Sequence, residues 1–486
     1  MKGKHFKKVL AILMTTVLAG SLMVGCAGGS AGTKSTAAGD GPSAATEAKD
    51  GAAAENGAAE DGPAAADGSG ADASGNSGSG ADLVFWNVAY KTVDDTGKVA
   101  TEDLIFNKTI ADFEAKHNIK VEVVNQTYDN IVQLFKTAGL AKNGPDVAFM
   151  WTGAYTTDYE SFIEPLDSYF TEEELAQFPN LDLCRAGFTS EGALLGIPTD
   201  MTTLNLYYSK DAFKAAGIDE NIQFKTFDDL LDACQKLSDA GITPLAMTDA
   251  NGYTSAWLMG EMLSHKLGPE GIFKLRTGEE TMDGPAAMES MEEWAGFCQT
   301  LIANNWVNED AFTTASDEVF MGIYSGEIAM RFGGSWDAQA LFDELGDRVG
   351  TMRIPVFSTD EPFGDHITAQ FSNNLVVTNY SKNKELAVEL IKALSTPEFH
   401  LARYEQDQQL PARLDVDLTA ASVSNPLSTA SYSWIQQDKN VVGFDSVISA
   451  DSAAEFYRFA PLMITGGASI EESMKTVQSK NVIVTE

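Results

Sequence analysis

The residues of this chain that are best suited to chemistry are aromatic side chains placed directly beside polar ones. Trp86 precedes Asn87 at the end of an apolar stretch, and Ser335 precedes Trp336 after a pair of glycines. An aromatic ring offers a flat apolar face, while an amide or a hydroxyl beside it can donate and accept hydrogen bonds. These pairs predict noncovalent binding of a ligand that has both kinds of surface.

Catalytic motifs, in contrast, are missing from the sequence. It contains no HExxH zinc motif, no phosphate-binding P-loop and no GxSxG nucleophile turn. The five histidines are scattered, and no group of residues has metal-ligand spacing. Because the 70 Asp and Glu residues offer many spatial pairings, a surface glycoside hydrolase or lyase stays open as an alternative. We expect a protein that is not an enzyme and that uses no cofactor and no metal.

The first 26 residues have the pattern of a secretory leader. Four lysines within residues 2–8 precede an uncharged apolar run over residues 9–24, which is too short and wrongly flanked for a transmembrane span. Residues 22–26, Leu-Met-Val-Gly-Cys, resemble the lipobox of bacterial lipoproteins, although Met23 stands where Leu is usual. The resemblance implies a lipid on Cys26 and a place on the extracellular face of the cell membrane. A plain secreted protein is the alternative.

Residues 27–81 are predicted to form a disordered tether. The segment consists almost entirely of Ala, Gly, Ser, Asp, Glu and Pro, and residues 27–80 contain no aromatic residue and no Val, Ile, Leu or Met. Such a composition buries too little apolar surface to offset the entropy that ordering would cost. We therefore expect a spacer between the membrane and the rest of the chain.

Residues 82–486 have the composition of a folded protein with a strongly acidic surface. The leader contributes a charge of +4 and the tether −6 to the total of −37, which leaves −35 for this part. Such acidity argues against nucleic acid and anionic lipid as partners, since both would be repelled. About 400 residues exceed what one hydrophobic core usually supports, so two lobes are expected. The three remaining cysteines are too few and too scattered for a disulfide framework.

Strand-like and helix-like segments alternate along the chain. Short apolar strands are predicted at 83–86, 121–124 and 146–150, with helices at 104–117 and 129–141 between them. This β-α-β-α-β order is typical of a parallel or mixed sheet covered by helices. Later in the chain, Thr226 and Asp229 have the spacing of a capping box for a helix over 227–240. Further elements are predicted at 245–247, 257–267, 285–304 and 384–393.

Five segments, taken in order, resemble the extracellular solute-binding proteins of bacterial ABC importers, and most of all the carbohydrate-binding family that includes maltose-binding protein. Each segment alone is a weak signal, but their order behind a lipoprotein leader is specific, and the resemblance covers residues 83–480. The segments are GPDVAFMW at 144–151, GIPTD with LNLYYSKDAF at 196–213, TFDDL with AGITP at 226–244, SGEIAM with GGSW at 325–336, and NNLVV with NKELA at 373–387.

The resemblance implies an α/β, type II periplasmic-binding-protein-like fold, in which hinge-linked lobes close on a ligand in the cleft between them. It implies discontinuous lobes, an N-terminal lobe of residues 82–198 plus 328–375 and a C-terminal lobe of residues 199–327 plus 376–486. It also implies a monomer that captures a carbohydrate and delivers it to the permease subunits of an ABC transporter.

A sugar has flat C–H faces and a rim of hydroxyls, so its site needs aromatic platforms and side chains that donate and accept hydrogen bonds. Some of the positions chosen here could instead be structural: Trp86 and Trp257 could pack in the core, and Asp200 could cap the following segment. The positions expected to bind ligand are Trp86, Asn87, Tyr155, Asp200, Trp257, Ser335, Trp336, Asn373 and Arg413.

Other solutes and other classes of protein stay open. A polyamine, a phosphodiester or a metal chelate is a possible ligand, and a cationic solute would suit the acidic charge. The positions named above do not, however, supply an evident ring of carboxylates for a cation. An adhesin or a purely structural lipoprotein is a further alternative, and it would not close on a small ligand.

Overall fold

The computed structural model describes residues 80–484, except residues 95, 96, 98, 129, 315, 316 and 438. The predictions for the leader, for Cys26 and for the tether up to residue 79 lie outside the described residues. The strands of the described part are β1 (Leu83–Asn87), β2 (Val121–Asn125), β3 (Val147–Trp151), β4 (Ile197–Pro198), β5 (Met201–Ser209), β6 (Thr243–Ala246), β7 (Ile328–Gly334), β8 (Val349–Met352), β9 (Ile367–Phe371), β10 (Asn373–Val377) and β11 (Asn440–Val441).

The helices of the described part differ widely in length. They are α1 (Ile105–His117), α2 (Ile131–Ala141), α3 (Ala154–Thr157), α4 (Glu172–Leu175), α5 (Lys210–Ala215), α6 (Phe227–Asp239), α7 (Tyr253–Thr277), α8 (Pro285–Ala303), α9 (Met321–Ser325), α10 (Ala338–Leu345), α11 (Lys384–Ala393), α12 (Pro397–Asp407), α13 (Pro426–Ile435), α14 (Ala450–Thr465) and α15 (Ile470–Lys480).

The first sheet has the strand order β2-β1-β3-β10-β4. Strand β1 runs parallel to β2 and β3, whereas β10 runs antiparallel to β3 and β4. The parallel pairs follow from the connecting helices α1 and α2, since parallel strands need a crossover. The sheet is thus mixed, and the predicted β-α-β-α-β order of its first half is confirmed.

The second sheet has the order β11-β9-β5-β7-β6, with β8 also paired to β5. The nine-residue strand β5 lies at its centre and pairs antiparallel with β7, β8 and β9. Large apolar side chains of α8 and β7, among them the fully buried Trp294 and Phe297, fill the core beside this sheet. A separate core around Phe85 and Phe149 belongs to the first sheet.

The predicted lobe boundary is wrong for residues 328–371. Strands β7, β8 and β9 pair with β5 in the second sheet, although the prediction placed them in the N-terminal lobe. Helices α11 and α12, predicted to belong to the C-terminal lobe, contribute buried side chains to the core of the first sheet. The physical reason is that a strand pattern reports burial and length but does not identify the strand with which it pairs.

The chain passes between the two sheets three times, from β4 to β5, from β9 to β10 and between β10 and β11, and the first two passages are neighbours. The Thr199 N–H donates to the carbonyl of Asn373 at 3.0 Å, which ties the two crossings together. A further bridge joins Met201 at the start of β5 to Leu410. The β4–β5 and β9–β10 crossings run antiparallel, and neighbouring crossings of this kind form a hinge about which two lobes can move.

Two local predictions can be compared directly with the structure. Thr226 and Asp229 form the predicted capping box, in which the Asp229 N–H donates to Thr226 Oγ1 at 3.3 Å. Cys184, Cys234 and Cys298 are buried, free thiols.

Within the described residues, no helix has both the length and the apolar character that crossing a membrane requires.

Candidate ligand-binding cleft

Two adjoining cavities lie on the second lobe, beside the crossings between the sheets. Their volumes are about 540 and 440 Å³, including the space at their open mouths. Both are lined by Leu204, Tyr253, Trp257 and Trp336, so these residues form a shared wall. Clefts beside the junction of two lobes are common places for small-molecule sites.

The shared wall is a cluster of aromatic rings. The ring centroids of Trp257 and Trp336 are 4.7 Å apart at an interplanar angle of 69°, and those of Tyr253 and Trp257 are 3.5 Å apart. Tyr457 extends the cluster, with its centroid 5.9 Å from that of Tyr253. The structure therefore brings together two of the predicted ligand-binding residues, Trp257 and Trp336.

Glycines at two points allow these rings to take their places. Helix α7 starts after Gly252, which has φ +75°, and a Cβ atom there would collide with the backbone of Tyr457. Gly334 precedes Ser335, and a Cβ atom on it would overlap the indole of Trp336. Only glycine tolerates the positive φ at position 252 and the close approach of other atoms at both positions at low cost. Ser335 itself is buried, and its hydroxyl accepts from the Thr203 N–H at 3.4 Å.

A second set of aromatic residues belongs to the first lobe. Trp151 ends β3, its ring stacks with Tyr128 at 5.9 Å, and it meets Tyr155 edge-on at 5.0 Å. Strand β3 presents these rings at its carboxyl end, where α/β sheets commonly bind ligands. Tyr155 was predicted from the sequence; Trp151 and Tyr128 were not, although Trp151 carried the signal of an aromatic residue at a strand end.

Tyr155 of the first lobe lies near Asp445 and Tyr457 of the second lobe. Burial raises the pKa of Tyr155, and the negative charge of Asp445 on the second lobe raises it further. The pKa of Tyr457 is also raised, first by burial and then by the neighbouring Asp445 and Tyr155. Gly153, just before α3, approaches the backbone carbonyl of Ser446 so closely that no Cβ atom would fit between them. First-lobe residues thus contact the second lobe directly at this edge.

A polar network lines the second cavity beneath the aromatic wall. The Tyr457 hydroxyl donates to Asp445 Oδ2 at 2.9 Å, and Gln370 Nε2 donates to Ser446 Oγ at 2.9 Å. Gln370 in turn accepts from the Gly443 N–H at 2.5 Å. Burial raises the pKa of Asp445. The sequence around residue 445 matched none of the segments that carried the family resemblance, so Asp445 and Gln370 were missed.

An ion pair lies on the first cavity. Arg331 Nη2 donates to Asp337 Oδ2 at 2.9 Å, and the guanidinium carbon lies 3.3 Å from the ring centroid of Phe320. The Gly334 N–H also donates to Asp337 at 3.3 Å. These contacts hold the start of the segment that carries Trp336.

Asp200 and Asn373 lie together at the two neighbouring crossings between the sheets. Both are at most 5% exposed, and Asn373 Nδ2 donates to Asp200 Oδ1 at 3.3 Å. Arg403, which was not predicted, donates to the Thr199 carbonyl at 2.9 Å and pairs with Asp200 at 3.5 Å. Burial lowers the pKa of Arg403, but the charges of Asp407 and Asp200 outweigh it and raise the pKa overall. The network fixes the geometry of the hinge.

Seven of the nine predicted positions line neither cavity. Four of them, Tyr155, Asp200, Ser335 and Asn373, are described above, and the other three are Trp86, Asn87 and Arg413. Trp86 is partly exposed and packs beside the cluster of Ile131 and Phe135. Asn87 is buried and donates to the Tyr90 carbonyl and to Asn125 Oδ1, both at 2.8 Å.

Arg413 is the third of these positions. It forms a two-pronged ion pair with Asp415, at 2.8 and 2.6 Å, and its guanidinium packs over Phe178. The ligand-binding roles of Trp86, Asn87 and Arg413, and those of the other six predicted positions, stay predictions. Among the residues that the structure describes, no group of three or more His, Cys, Asp or Glu side chains is arranged to hold a metal ion.

Comparison with known proteins gives a consistent result. The family described as bacterial extracellular solute-binding protein matches residues 108–430, more than half of the chain. An uncharacterised ABC transporter extracellular-binding protein of Pyrococcus horikoshii is 26% identical over 48% of this chain and 52% of its own length. The alignment thus spans about half of that relative.

Two further similarities cover more of both partners. The galactooligosaccharide-binding protein of Bacillus subtilis is 24% identical over 69% of this chain and 74% of its own. A solved structure of a chitin oligosaccharide binding protein superposes with a TM-score of 0.67 at 21% identity, over 82% of this chain and 97% of that one. This structural similarity confirms the predicted type II periplasmic-binding-protein-like fold.

Proposed function

Because the chain belongs to the family of bacterial extracellular solute-binding proteins, we propose that it captures a carbohydrate, a sugar or an oligosaccharide, and delivers it to the permease of an ABC transporter. The observation that carries the proposal is the aromatic wall of Tyr253, Trp257 and Trp336. Aromatic faces suit the C–H faces of a sugar ring, and Asp445 and Gln370 beside them suit its hydroxyls.

Hinge closure gives such a receptor its mechanism. A ligand that touches Trp336 on one lobe and Tyr155 on the other stabilises the closed form over the open form, because it makes both sets of contacts only when the lobes close. Delivery requires release, so the closed form should be favoured by only a few kcal/mol. The names of the Bacillus relative and of the superposed chitin oligosaccharide receptor support a glycan as the ligand.

The test is a thermal-shift screen of the chain against mono- and oligosaccharides, with polyamines and amino acids as controls. Stabilisation grows with the logarithm of ligand concentration over Kd, so a micromolar ligand at millimolar concentration should stabilise the protein by about 4 kcal/mol. A shift with one class of glycan, without any reaction product on chromatography, supports a receptor. A shift with cations alone, or turnover of the glycan, contradicts the proposal.

The chain is proposed to work as a monomer at the extracellular face of the cell membrane, held by a lipid on Cys26. The leader pattern and the Ala- and Gly-rich residues that follow it support this part of the proposal. Replacing Cys26 with Ala should shift the protein from the membrane fraction to the medium. If the Cys26→Ala protein fractionates with membranes as the parent chain does, the anchor is not at Cys26.

A further inference from the structure

The walls of the two cavities carry very little charge. Among the described lining residues, Arg331, Asp337 and Asp445 are the ones with an acidic or basic side chain, tyrosine apart. The rest of the lining is aromatic, aliphatic, glycine, or neutral and polar, such as Gln370 and Thr368. The charge preference of the cleft therefore depends on three side chains.

The positive charge of Arg331 is already neutralised. Its guanidinium donates to Asp337 at 2.9 Å and lies against the Phe320 ring, and the side chains of Arg331 and Asp337 are only 11% and 18% exposed. Turning Arg331 towards a ligand anion would leave Asp337 charged in a poorly hydrated place. Leaving one member of a buried pair without its partner is costly, so Arg331 is a poor receptor for a carboxylate or a phosphate.

Asp445 is in the opposite situation. It is 8% exposed, it lines the second cavity, and the side-chain hydrogen bond it accepts comes from the neutral hydroxyl of Tyr457. No lysine or arginine in the described part of the chain is close enough to lower its pKa. A carboxyl group in a confined space without a cationic partner forms hydrogen bonds with hydroxyls and disfavours a second carboxylate or a phosphate beside it.

From this arrangement we infer that the cleft selects by charge: it takes neutral glycans, it rejects glycans that carry a carboxylate or a phosphate, and Asp445 sets the discrimination. The inference rests on the proposed function and narrows its substrate class. Arg331 and Asp337 neutralise each other, so Asp445 is the acid among the described lining residues that no lysine or arginine balances. Like charges at close range in a site of low effective dielectric oppose binding strongly.

The experiment compares a matched pair of ligands by isothermal titration calorimetry on the full chain. The first is a neutral oligosaccharide found in the screen, and the second is the same glycan with its terminal C6 alcohol oxidised to a carboxylate. The oxidised form is expected to bind at least tenfold more weakly. In Asp445→Asn the ratio of the two dissociation constants should fall below about threefold.

A control separates the cleft from the overall acidity of the protein. Asp228→Asn removes a carboxyl group from an exposed position in the first turn of α6, which lines neither cavity, and should leave the ratio unchanged. Raising the salt to about 0.5 M should also preserve the ratio, because salt screens the outer surface more than a confined carboxylate. A ratio that falls equally in both variants, or that salt abolishes, would overturn the role of Asp445.

The failures can be told apart. If no neutral or anionic glycan binds, both the proposed function and the inference about charge selection are wrong. If both forms of the glycan bind equally well, the receptor stands and the inference is wrong. Should Asp445→Asn not fold, Asp445→Ser removes the same carboxylate, and the ratio in the unmodified protein tests the inference without any variant.

Discussion

Replacing Trp336 with Ala should remove much of the affinity for glycan and little of the stability. The indole lies on both cavities, and its edge-on partner is Trp257, at 4.7 Å. It is only partly buried, so its loss leaves an opening at the wall rather than a sealed hole in the core. Trp336 also follows the structural segment Gly333–Gly334, which the substitution leaves intact.

The magnitude follows from the position of the ring. Replacing a tryptophan at the centre of a binding surface with alanine typically weakens the binding free energy by 2 kcal/mol or more. At about 1.4 kcal/mol per tenfold change in affinity, a loss of about 2–4 kcal/mol corresponds to a Kd roughly 30- to 1,000-fold higher. Loss of the ring contact with Trp257 should lower the free energy of unfolding by about 0.5–1.5 kcal/mol.

The assay is isothermal titration calorimetry with the glycan found in the screen, alongside urea unfolding. The matched control is Trp434→Ala, because Trp434 lies on α13, is likewise partly buried and packs beside the core of the first sheet. The control should keep its affinity, and urea unfolding shows how much stability each of the two variants loses. A Trp336→Ala protein that is folded and binds within threefold of the parent would refute the assignment of the wall as the sugar platform.

Three further predictions concern closure and stability. Gly153→Ala should weaken glycan binding in calorimetry, because the added Cβ atom would collide with the backbone of Ser446 and an alanine at φ +69° is strained. Unchanged affinity would show that the close contact between Gly153 and Ser446 is not needed for closure. Thr226→Ala removes the capping box with Asp229 and should lower the free energy of unfolding by about 1 kcal/mol in urea, whereas an unaltered midpoint would mean that the cap contributes nothing. Burial raises the pKa of Asp249 to about 7, above its usual 3.8, so the folded protein keeps a proton that the unfolded chain loses, and stability falls as pH rises from about 4 to 7. Asp249→Asn should reduce that slope by up to about 1.4 kcal/mol per pH unit in urea unfolding, and an identical slope in the variant would contradict the shift.

Local structure could be predicted well from the sequence because it depends on neighbours along the chain. The helix predicted over 384–393 has those limits in the structure, and the helix predicted over 227–240 ends one residue earlier. The capping box at Thr226 needed only residues three apart. Trp336 could be placed on the cleft because its glycine pair and the family resemblance pointed to the same position.

Long-range pairing is where the sequence was insufficient. Strand β7 pairs with β5, more than a hundred residues earlier, and its own residues contain no signal that distinguishes this partner from a strand of the first sheet. Arg403 meets Asp200 across some two hundred residues, which only the folded chain reveals. Asp445 reaches the cavity from a short segment without a strong periodic pattern, so its role depends on burial and on its contact with Tyr457.

The central claim is that a glycan binds between the lobes against the aromatic wall. A crystal structure of the chain with the oligosaccharide found in the screen tests it most directly. The account predicts a sugar ring against Trp257 or Trp336, with Tyr155 of the other lobe in contact and hydroxyls within hydrogen-bonding distance of Asp445 or Gln370. A glycan bound away from both cavities, or a chain that binds no glycan, would contradict it.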